Sequence, residues 1–276
     1  MTLPRLTQSC VPVLQTVEVL NERGERQLLC IPAERALTLY VDKRKLVTLM
    51  TLGAHPEWMV LGYMLNQRLI ASVGDVESIT VDWEVEAAGV RTRRGIQDLV
   101  AKTASRVVTT GCGQGSVFGG LMESISRQAL PPTTVSATTL HAITDTIRLQ
   151  DSVYKQAGSV HGCALFCGEQ LQLFVEDVGR HNAIDTISGW MALQPRQLND
   201  GILYTTGRLT SEMVMKAATM GIAVVVSRSG ITQMGLSVAQ SLGLCAIGRA
   251  VHRRFLCYAG SDRLALAPLL TGALAD

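Results

Sequence analysis

Cys112 is the residue whose surroundings best suit sulfur chemistry. It lies in the glycine-rich segment 111–115, GCGQG, in which no long side chain adjoins it to bury the sulfur. A cysteine that carries sulfur or attacks as a nucleophile works as the thiolate and needs access to a donor and then to an acceptor. A glycine-rich loop can supply that access. A small residue in a tight turn is the competing interpretation, and the local sequence leaves both open.

Arginines follow three successive apolar runs in the last third of the chain. The runs lead into Arg208, into Arg228 and into a basic segment at 249–254. This segment consists of Arg249, Ala250, Val251, His252, Arg253 and Arg254. In an open α/β sheet ligands bind beyond the carboxyl ends of the strands, and a guanidinium can bind two phosphate oxygens at once. The pattern predicts a phosphate or diphosphate pocket at this edge of the sheet.

A fourth segment, 176–182 (EDVGRHN), has the same polar character. It follows an apolar run and precedes residues at helical spacing, so it also lies at the end of a predicted strand. Asp177, Arg180 and His181 are its candidate ligand residues. Solvated loop charges, and a structural role for His181, are the competing interpretations.

Several other ligand motifs fail on particular residues. The dinucleotide fingerprint GxGxxG fails because Ser116 replaces its last glycine, and the phosphate loop fails because Leu121 follows Gly120. A zinc deaminase would need HxE and PCxxC, whereas Cys163 and Cys167 are four positions apart. No cysteine pair has the two-residue gap usual in zinc sites, so we expect no zinc.

The composition predicts a globular protein. Of its 276 residues 47% are hydrophobic and 17% charged, and the net charge of +2 gives no sign of nucleic-acid binding. The N-terminus lacks the apolar region of a signal peptide, and no apolar run is long enough to span a membrane. We therefore expect a cytoplasmic location. The seven cysteines do not suggest a disulfide framework, and Cys163 and Cys257 lie in apolar runs typical of buried thiols.

Hydrophobic periodicity predicts a small α+β unit at the start of the chain. Apolar residues alternate with polar ones over 37–41 and 79–85, a pattern typical of half-buried strands. After Pro56, which suits the first position of a helix, apolar residues recur at helical spacing over 58–69. The charged segment 91–95 precedes a change in the hydrophobic pattern of the chain.

Strands and helices alternate in the last third of the chain. Thr210 and Thr232 are candidate N-caps, and Gly221 and Gly243 are placed to end the two helices. The intervening apolar runs are typical of strands buried on both faces, with connections suited to right-handed parallel crossovers. The fold class is therefore α/β with an α+β N-terminal part, and we place the domains at residues 1–104 and 105–276.

The chain resembles the FdhD family, sulfurtransferases required for active formate dehydrogenase, from about residue 34 onward. Segment 176–181, EDVGRH, is similar to the family's signature. Segment 159–162, SVHG, resembles its Gly/Cys-x-His-Ala motif, and segment 206–216, TGRLTSEMVMK, resembles its SxRxSxExVxK motif.

This resemblance implies a mechanism. A cysteine desulfurase loads sulfur onto Cys112 as a persulfide, and the sulfur passes to bis-molybdopterin guanine dinucleotide, the cofactor destined for formate dehydrogenase. The segment 249–254 would bind this cofactor, and GDP would mimic it. Gly115 stands where the family has a second loop cysteine, which excludes a redox dithiol and leaves a single-thiol carrier.

The resemblance also implies a cytidine-deaminase-like three-layer second domain with a mixed sheet and no zinc, and a homodimer. A binding module that delivers the cofactor without moving sulfur is the alternative function. A nucleotide-modifying enzyme on the same fold is disfavoured by the missing metal ligands.

Overall fold

The computed structural model describes residues 3–96, 129–195, 198 and 200–266. Its helices are α1 (Pro56–Asn66), α2 (Ala137–Leu149), α3 (Val153–Ala157), α4 (Arg180–Leu193), α5 (Ser211–Thr219) and α6 (Gln233–Leu242), with 3₁₀ turns at Val73–Asp75 and Ser261–Arg263. Its strands are β1 (Arg5–Leu6), β2 (Leu14–Leu20), β3 (Arg26–Pro32), β4 (Arg35–Val41), β5 (Arg44–Thr51), β6 (Val76–Asp82), β7 (Ala87–Thr92), β8 (Val135–Ser136), β9 (His161–Cys167), β10 (Gln170–Asp177), β11 (Gly201–Thr205), β12 (Val224–Ser227), β13 (Cys245–Val251), β14 (Arg254–Ala259) and β15 (Leu264–Ala265). Within this part of the chain, no helix is long and apolar enough to cross a membrane.

The first unit is a five-stranded sheet in the order β1-β6-β7-β4-β5, covered on one face by α1. Leu37, Leu39 and Val41 of β4 point into its core, which confirms the predicted strand with one wet face. The strand predicted over residues 79–85 extends too far along the chain, because β6 ends at Asp82. A turn follows, and β7 then pairs antiparallel with β6. Val85, in that turn, is 68% exposed.

Helix α1 is also shorter than its periodicity indicates. It begins at Pro56, as predicted, but it ends at Asn66. Arg68 then adopts a left-handed φ of +54°, a conformation that cannot continue a right-handed helix. Leu69 lies beyond the helix yet is buried, so its hydrophobicity reflects core packing and not helical phase.

The second unit is a six-stranded mixed sheet in the order β10-β9-β11-β12-β13-β14. Strands β11, β12 and β13 run parallel, as predicted, whereas β9, β10 and β14 join through antiparallel pairs. Helix α2 packs on one face of the sheet and covers one apolar cluster. Helices α4, α5 and α6 pack on the other face and together cover a second apolar cluster. Three layers and a mixed sheet are therefore present, while the relationship to cytidine deaminases stays a prediction.

The predicted helix caps are confirmed. The Thr210 hydroxyl accepts from the Met213 N–H at 3.5 Å, and the Thr232 hydroxyl accepts from the Gly235 N–H at 3.1 Å. Gly243 ends α6 with a left-handed φ of +62°, a conformation that glycine adopts without a Cβ penalty.

One predicted loop is a strand. The sequence places the end of the third parallel strand before Gly248, but β13 continues to Val251. Antiparallel pairing with β14, interrupted by two register shifts, extends the strand. The basic segment 249–254 therefore forms the turn end of a β-hairpin and not a loop beyond the strand.

The two units meet where α1 crosses α4. A Cβ at Gly62 would lie 1.7 Å from the Asp185 carbonyl oxygen, so the two helix backbones are in direct contact. Beside this crossing, the buried Asp185 carboxylate accepts from Lys216 Nζ and from Asn66 Nδ2, each at 2.7 Å. Helix α4 is thus shared by both units, and the boundary predicted between residues 104 and 105 lies outside the described residues.

Candidate functional site

A cavity of about 610 Å³ opens where β10, β11, β12 and β13 reach their carboxyl ends. Helices α2 and α3 form one wall, with Arg148 and Lys155. The strand ends form the other wall, with Arg228 and His252, and His161 at the start of β9 also lines the cavity. Ligand pockets in proteins commonly enclose roughly 300–1,000 Å³. The predicted sheet edge therefore carries a cavity large enough for a nucleotide-sized ligand.

Among the charged side chains that line this cavity, the basic ones outnumber the acidic ones. Arg148 lies 3.6 Å from Asp145, its neighbour along α2, and the Glu176 carboxylate accepts backbone N–H groups of α3. Lys155 and Arg228 form no ion pair within the described part of the chain. Burial raises the pKa of the Glu176 carboxyl, and Lys155 lies close enough for its charge to lower that pKa in part. Cations from α3 and from the end of β12 suit an anionic ligand, such as one that contains phosphate groups.

Two further side chains supply neutral hydrogen-bonding groups. Burial lowers the pKa of His161, and the positive charges of Arg180 and Arg208 lower it further, so the imidazole is neutral at neutral pH. Burial raises the pKa of Tyr204 to about 12, which keeps its hydroxyl protonated. A neutral imidazole offers one donor and one acceptor, and a phenol can donate or accept. The cavity can therefore contact polar as well as charged groups of a ligand.

The segment 176–182 connects several elements of the fold. Asp177 accepts from the Thr51 hydroxyl at 2.5 Å and from the Leu52 N–H at 3.1 Å, which joins β10 to the end of β5. The side chain of Asn182 donates to Asp177 at 2.8 Å and to the Met50 carbonyl at 2.7 Å. Asp177 is buried and does not line the large cavity. The structure thus places this candidate ligand at the junction between the two sheets.

Arg180 and His181 lie at the start of α4 and are buried. The Arg180 side chain packs so closely on Gly207 that a Cβ there would lie 2.8 Å from its Cδ. His181 Nε2 lies 3.2 Å from a carboxylate oxygen of Glu212, at the start of α5. Neither residue lines the cavity, although the charge of Arg180 acts on His161. The first contact ties α4 to the loop that follows β11, and the second ties it to α5.

The basic segment 249–254 only partly faces the cavity. Ala250, Val251 and His252 line it, whereas Arg249, Arg253 and Arg254 are exposed outside its lining. The Arg249 N–H donates to the Ser229 carbonyl at 2.6 Å, and the Thr144 hydroxyl donates to the His252 carbonyl at 3.0 Å. These bonds fix the hairpin to the loop after β12 and to α2.

The remaining predicted residues are placed as follows. Arg208 is exposed after β11, outside the cavity lining but close enough for its charge to affect His161. Cys112 lies outside the described residues. The sequence already associates Arg228 with a strand end and includes His161 in a family motif, so it contains a signal that both residues belong to the site. Arg148 and Lys155 had none, because they lie on helices without a motif.

The cysteines in the described part of the chain do not form a metal site. Among these residues, no group of three or more histidine, cysteine or acidic side chains is arranged to hold a metal ion. Cys163 is fully buried, and burial raises the pKa of its thiol to about 12, which confirms it as an unreactive core residue. Cys257 is only half-buried, so the prediction of a buried thiol holds in part.

Comparison with known proteins gives consistent results. The sequence profile of the FdhD/NarQ family matches residues 32–265. A protein of Bacillus pumilus named sulfur carrier protein FdhD is 27% identical over 258 residues, covering 92% of this chain and 98% of its own length. A protein of Wolinella succinogenes with the same name is 26% identical, covering 90% and 88% of the two chains.

A solved structure shows the same fold. It belongs to a protein of Desulfotalea psychrophila described as a formate dehydrogenase accessory protein, with a TM-score of 0.75 and 23% identity. The match covers 92% of this chain and 99% of the other.

Proposed function

Because this chain belongs to the FdhD/NarQ family, we propose that it is a sulfur carrier in the maturation of formate dehydrogenase. The names of its relatives support this role. The observation that carries the proposal for this chain is the cavity at the sheet edge, a nucleotide-sized space that Lys155 lines from α3 and Arg228 lines from the end of β12. A carrier of sulfur to a nucleotide-bearing acceptor needs such a site.

The proposed reaction has two transfers. The Cys112 thiolate first attacks the terminal sulfur of a persulfide on the cysteine desulfurase, so that a new S–S bond forms and the thiolate of the desulfurase leaves. The S–S bond of the Cys112 persulfide then breaks, the Cys112 thiolate leaves, and the terminal sulfur passes to bis-molybdopterin guanine dinucleotide, whose reduced metal supplies the two electrons that convert it to sulfide. This dinucleotide is the substrate and not a resident cofactor. Arg228 and Lys155 bind phosphate oxygens of this acceptor, and His161 accepts or donates one hydrogen bond to it. With Gly115 in the same segment, the carrier works with one thiol.

The partners follow from this reaction. They are the cysteine desulfurase and the formate dehydrogenase apoenzyme, and the carrier acts in the cytoplasm as a homodimer. A chaperone that binds the same cofactor without moving sulfur is the alternative function. It needs the same cavity, but it does not need Cys112.

Replacing Arg228 with alanine tests the acceptor site. The loss of one charge-assisted contact costs about 1.5–3 kcal/mol, which weakens GDP binding roughly 10- to 100-fold. Isothermal titration calorimetry measures the affinity, and formate dehydrogenase activity in cells that carry the variant should fall with it. We also expect the unchanged protein to bind GDP more tightly than ADP.

Arg23→Ala is the matched control, since Arg23 is exposed in the turn between β2 and β3. It should leave GDP affinity unchanged. Equal GDP affinity of Arg228→Ala and the unchanged protein would contradict the assignment of the cavity. Equal affinity of the unchanged protein for GDP and ADP would contradict guanine recognition.

A further inference from the structure

Helix α3 is the least embedded wall of the cavity. It has only five residues, and none of them is buried. Tyr154 and Lys155 line the cavity from this helix, and Tyr154 is nevertheless 52% exposed. Apart from contacts with β3, apolar burial contributes little to its position. Few buried contacts are typical of segments that open locally.

The Glu176 carboxylate holds the start of this helix. Its Oε2 accepts from the Val153 N–H at 2.5 Å, and its Oε1 accepts from the Tyr154 N–H at 3.2 Å. The Ser152 hydroxyl accepts from the Lys155 N–H at 3.1 Å. Hydrogen bonds to an ionised acceptor are stronger than bonds between neutral groups. One side chain from β10 thus supplies the strongest attachment of α3.

The chain leaves α3 through two residues in the left-handed region. Gly158 has φ +66° and Ser159 has φ +53°, and one further residue precedes the start of β9 at His161. A left-handed serine is disfavoured and persists only where the surroundings impose it. Small residues that can change φ and ψ at the end of an element are typical of hinges.

A second cavity provides space for movement of α3. It encloses about 340 Å³ and is lined by Val153 and Gln156 of this helix. Ser152, Phe174 and Glu176 line both cavities. Helix α3 and its carboxylate anchor therefore form a thin partition, with open volume on each side.

We propose that α3 is a hinged lid of the main cavity, and that Glu176 is the positioning residue that holds it closed. When the two backbone bonds to Glu176 break, the helix rotates about residues 158–159 towards the second cavity. The opening admits and releases the ligand of the main cavity. The ligand identity rests on the proposed function, whereas the movement rests on the hinge, the carboxylate and the two cavities.

The rate at which diethyl pyrocarbonate acylates His161 tests this movement without any ligand. His161 lines the cavity, and its neutral imidazole is the reactive form. We expect Glu176→Ala to accelerate the labelling of His161 at least fivefold, as followed by peptide mass spectrometry. Glu176→Gln should give an intermediate rate, because a single amide oxygen replaces the two carboxylate acceptors. Equal His161 rates in Glu176→Ala and the unchanged protein would overturn the proposal.

Two controls separate the lid from general unfolding. Glu169→Ala, at the exposed turn at the other end of the β9–β10 hairpin, should leave the His161 rate unchanged. The buried His181, which does not line the cavity, should stay slowly labelled in every variant. Faster labelling of His181 as well as His161 would mean that Glu176→Ala loosens the whole domain, which would also overturn the proposal.

The kinetics of GDP binding distinguish a lid from a ligand contact. Opening the lid should raise the association and dissociation rates of GDP together, each by about fivefold or more, with little change in Kd. A higher Kd with an unchanged association rate would contradict the lid. If the unchanged protein binds no GDP while Glu176→Ala accelerates His161 labelling, the proposed ligand is wrong and the lid stands.

Discussion

Replacing Cys112 with serine is expected to abolish formate dehydrogenase maturation. A serine oxygen cannot hold a transferable sulfur as a persulfide, and the chain has Gly115 where a second loop thiol would otherwise stand. In cells whose only copy of this protein carries Cys112→Ser, formate dehydrogenase activity should fall to the level of cells without the protein. The enzyme activity in cell extracts is the measurement.

Cys10→Ser is the matched control, because Cys10 is an exposed thiol far from the family motifs in the sequence. It should leave formate dehydrogenase activity unchanged. Normal activity with Cys112→Ser would instead favour the chaperone function, which requires the cavity and not the sulfur. The result therefore decides between the two proposed functions.

Replacing Gly62 with alanine should strongly destabilise the protein. The new Cβ would lie 1.7 Å from the Asp185 carbonyl oxygen, whereas ordinary contacts are 3.4–4 Å, so α1 and α4 would have to separate. Alanine favours a helix over glycine by about 1 kcal/mol, but overpacking of this severity costs about 3 kcal/mol or more. We expect a net loss of about 2 kcal/mol or more, and a Tm lower by roughly 4–8 °C in calorimetry.

A second glycine provides the control for this effect. Gly89, in β7, has no left-handed φ, and a Cβ there would meet nothing closer than 3.9 Å, so Gly89→Ala should change the Tm little. Gly189→Ala should behave like Gly62→Ala, since its Cβ would lie 1.9 Å from the Trp58 carbonyl oxygen. An unchanged Tm for Gly62→Ala would show that the contact between the two units is not close.

Much of the second unit is predictable from local sequence. The parallel strands β11 and β12 are continuous apolar runs, and Thr210 and Thr232 cap the helices that follow. These signals are local, because a buried strand and a capped helix each depend on residues close together in the chain. The position of the cavity then follows from the general rule that ligands bind beyond the carboxyl ends of parallel strands.

The roles within the segment 176–182 could not be predicted in this way. Its polar residues suggest ligand contacts, yet Asp177 bonds to residues about 125 positions earlier in the chain. The backbone contact at Gly62 is equally non-local, since a glycine in a helical pattern does not reveal its partner. The length of β13 was missed for a similar reason, because β14 extends it from outside the predicted run.

The most direct test of the sulfur-carrier proposal is the mass of the protein after incubation with a cysteine desulfurase and cysteine. We expect each chain to gain one sulfur atom, located on Cys112 by peptide mass spectrometry and removable with a thiol reductant. The Cys112→Ala variant should gain none. Equal sulfur loading of the Cys112→Ala variant, or no loading of the unchanged chain, would contradict the proposal.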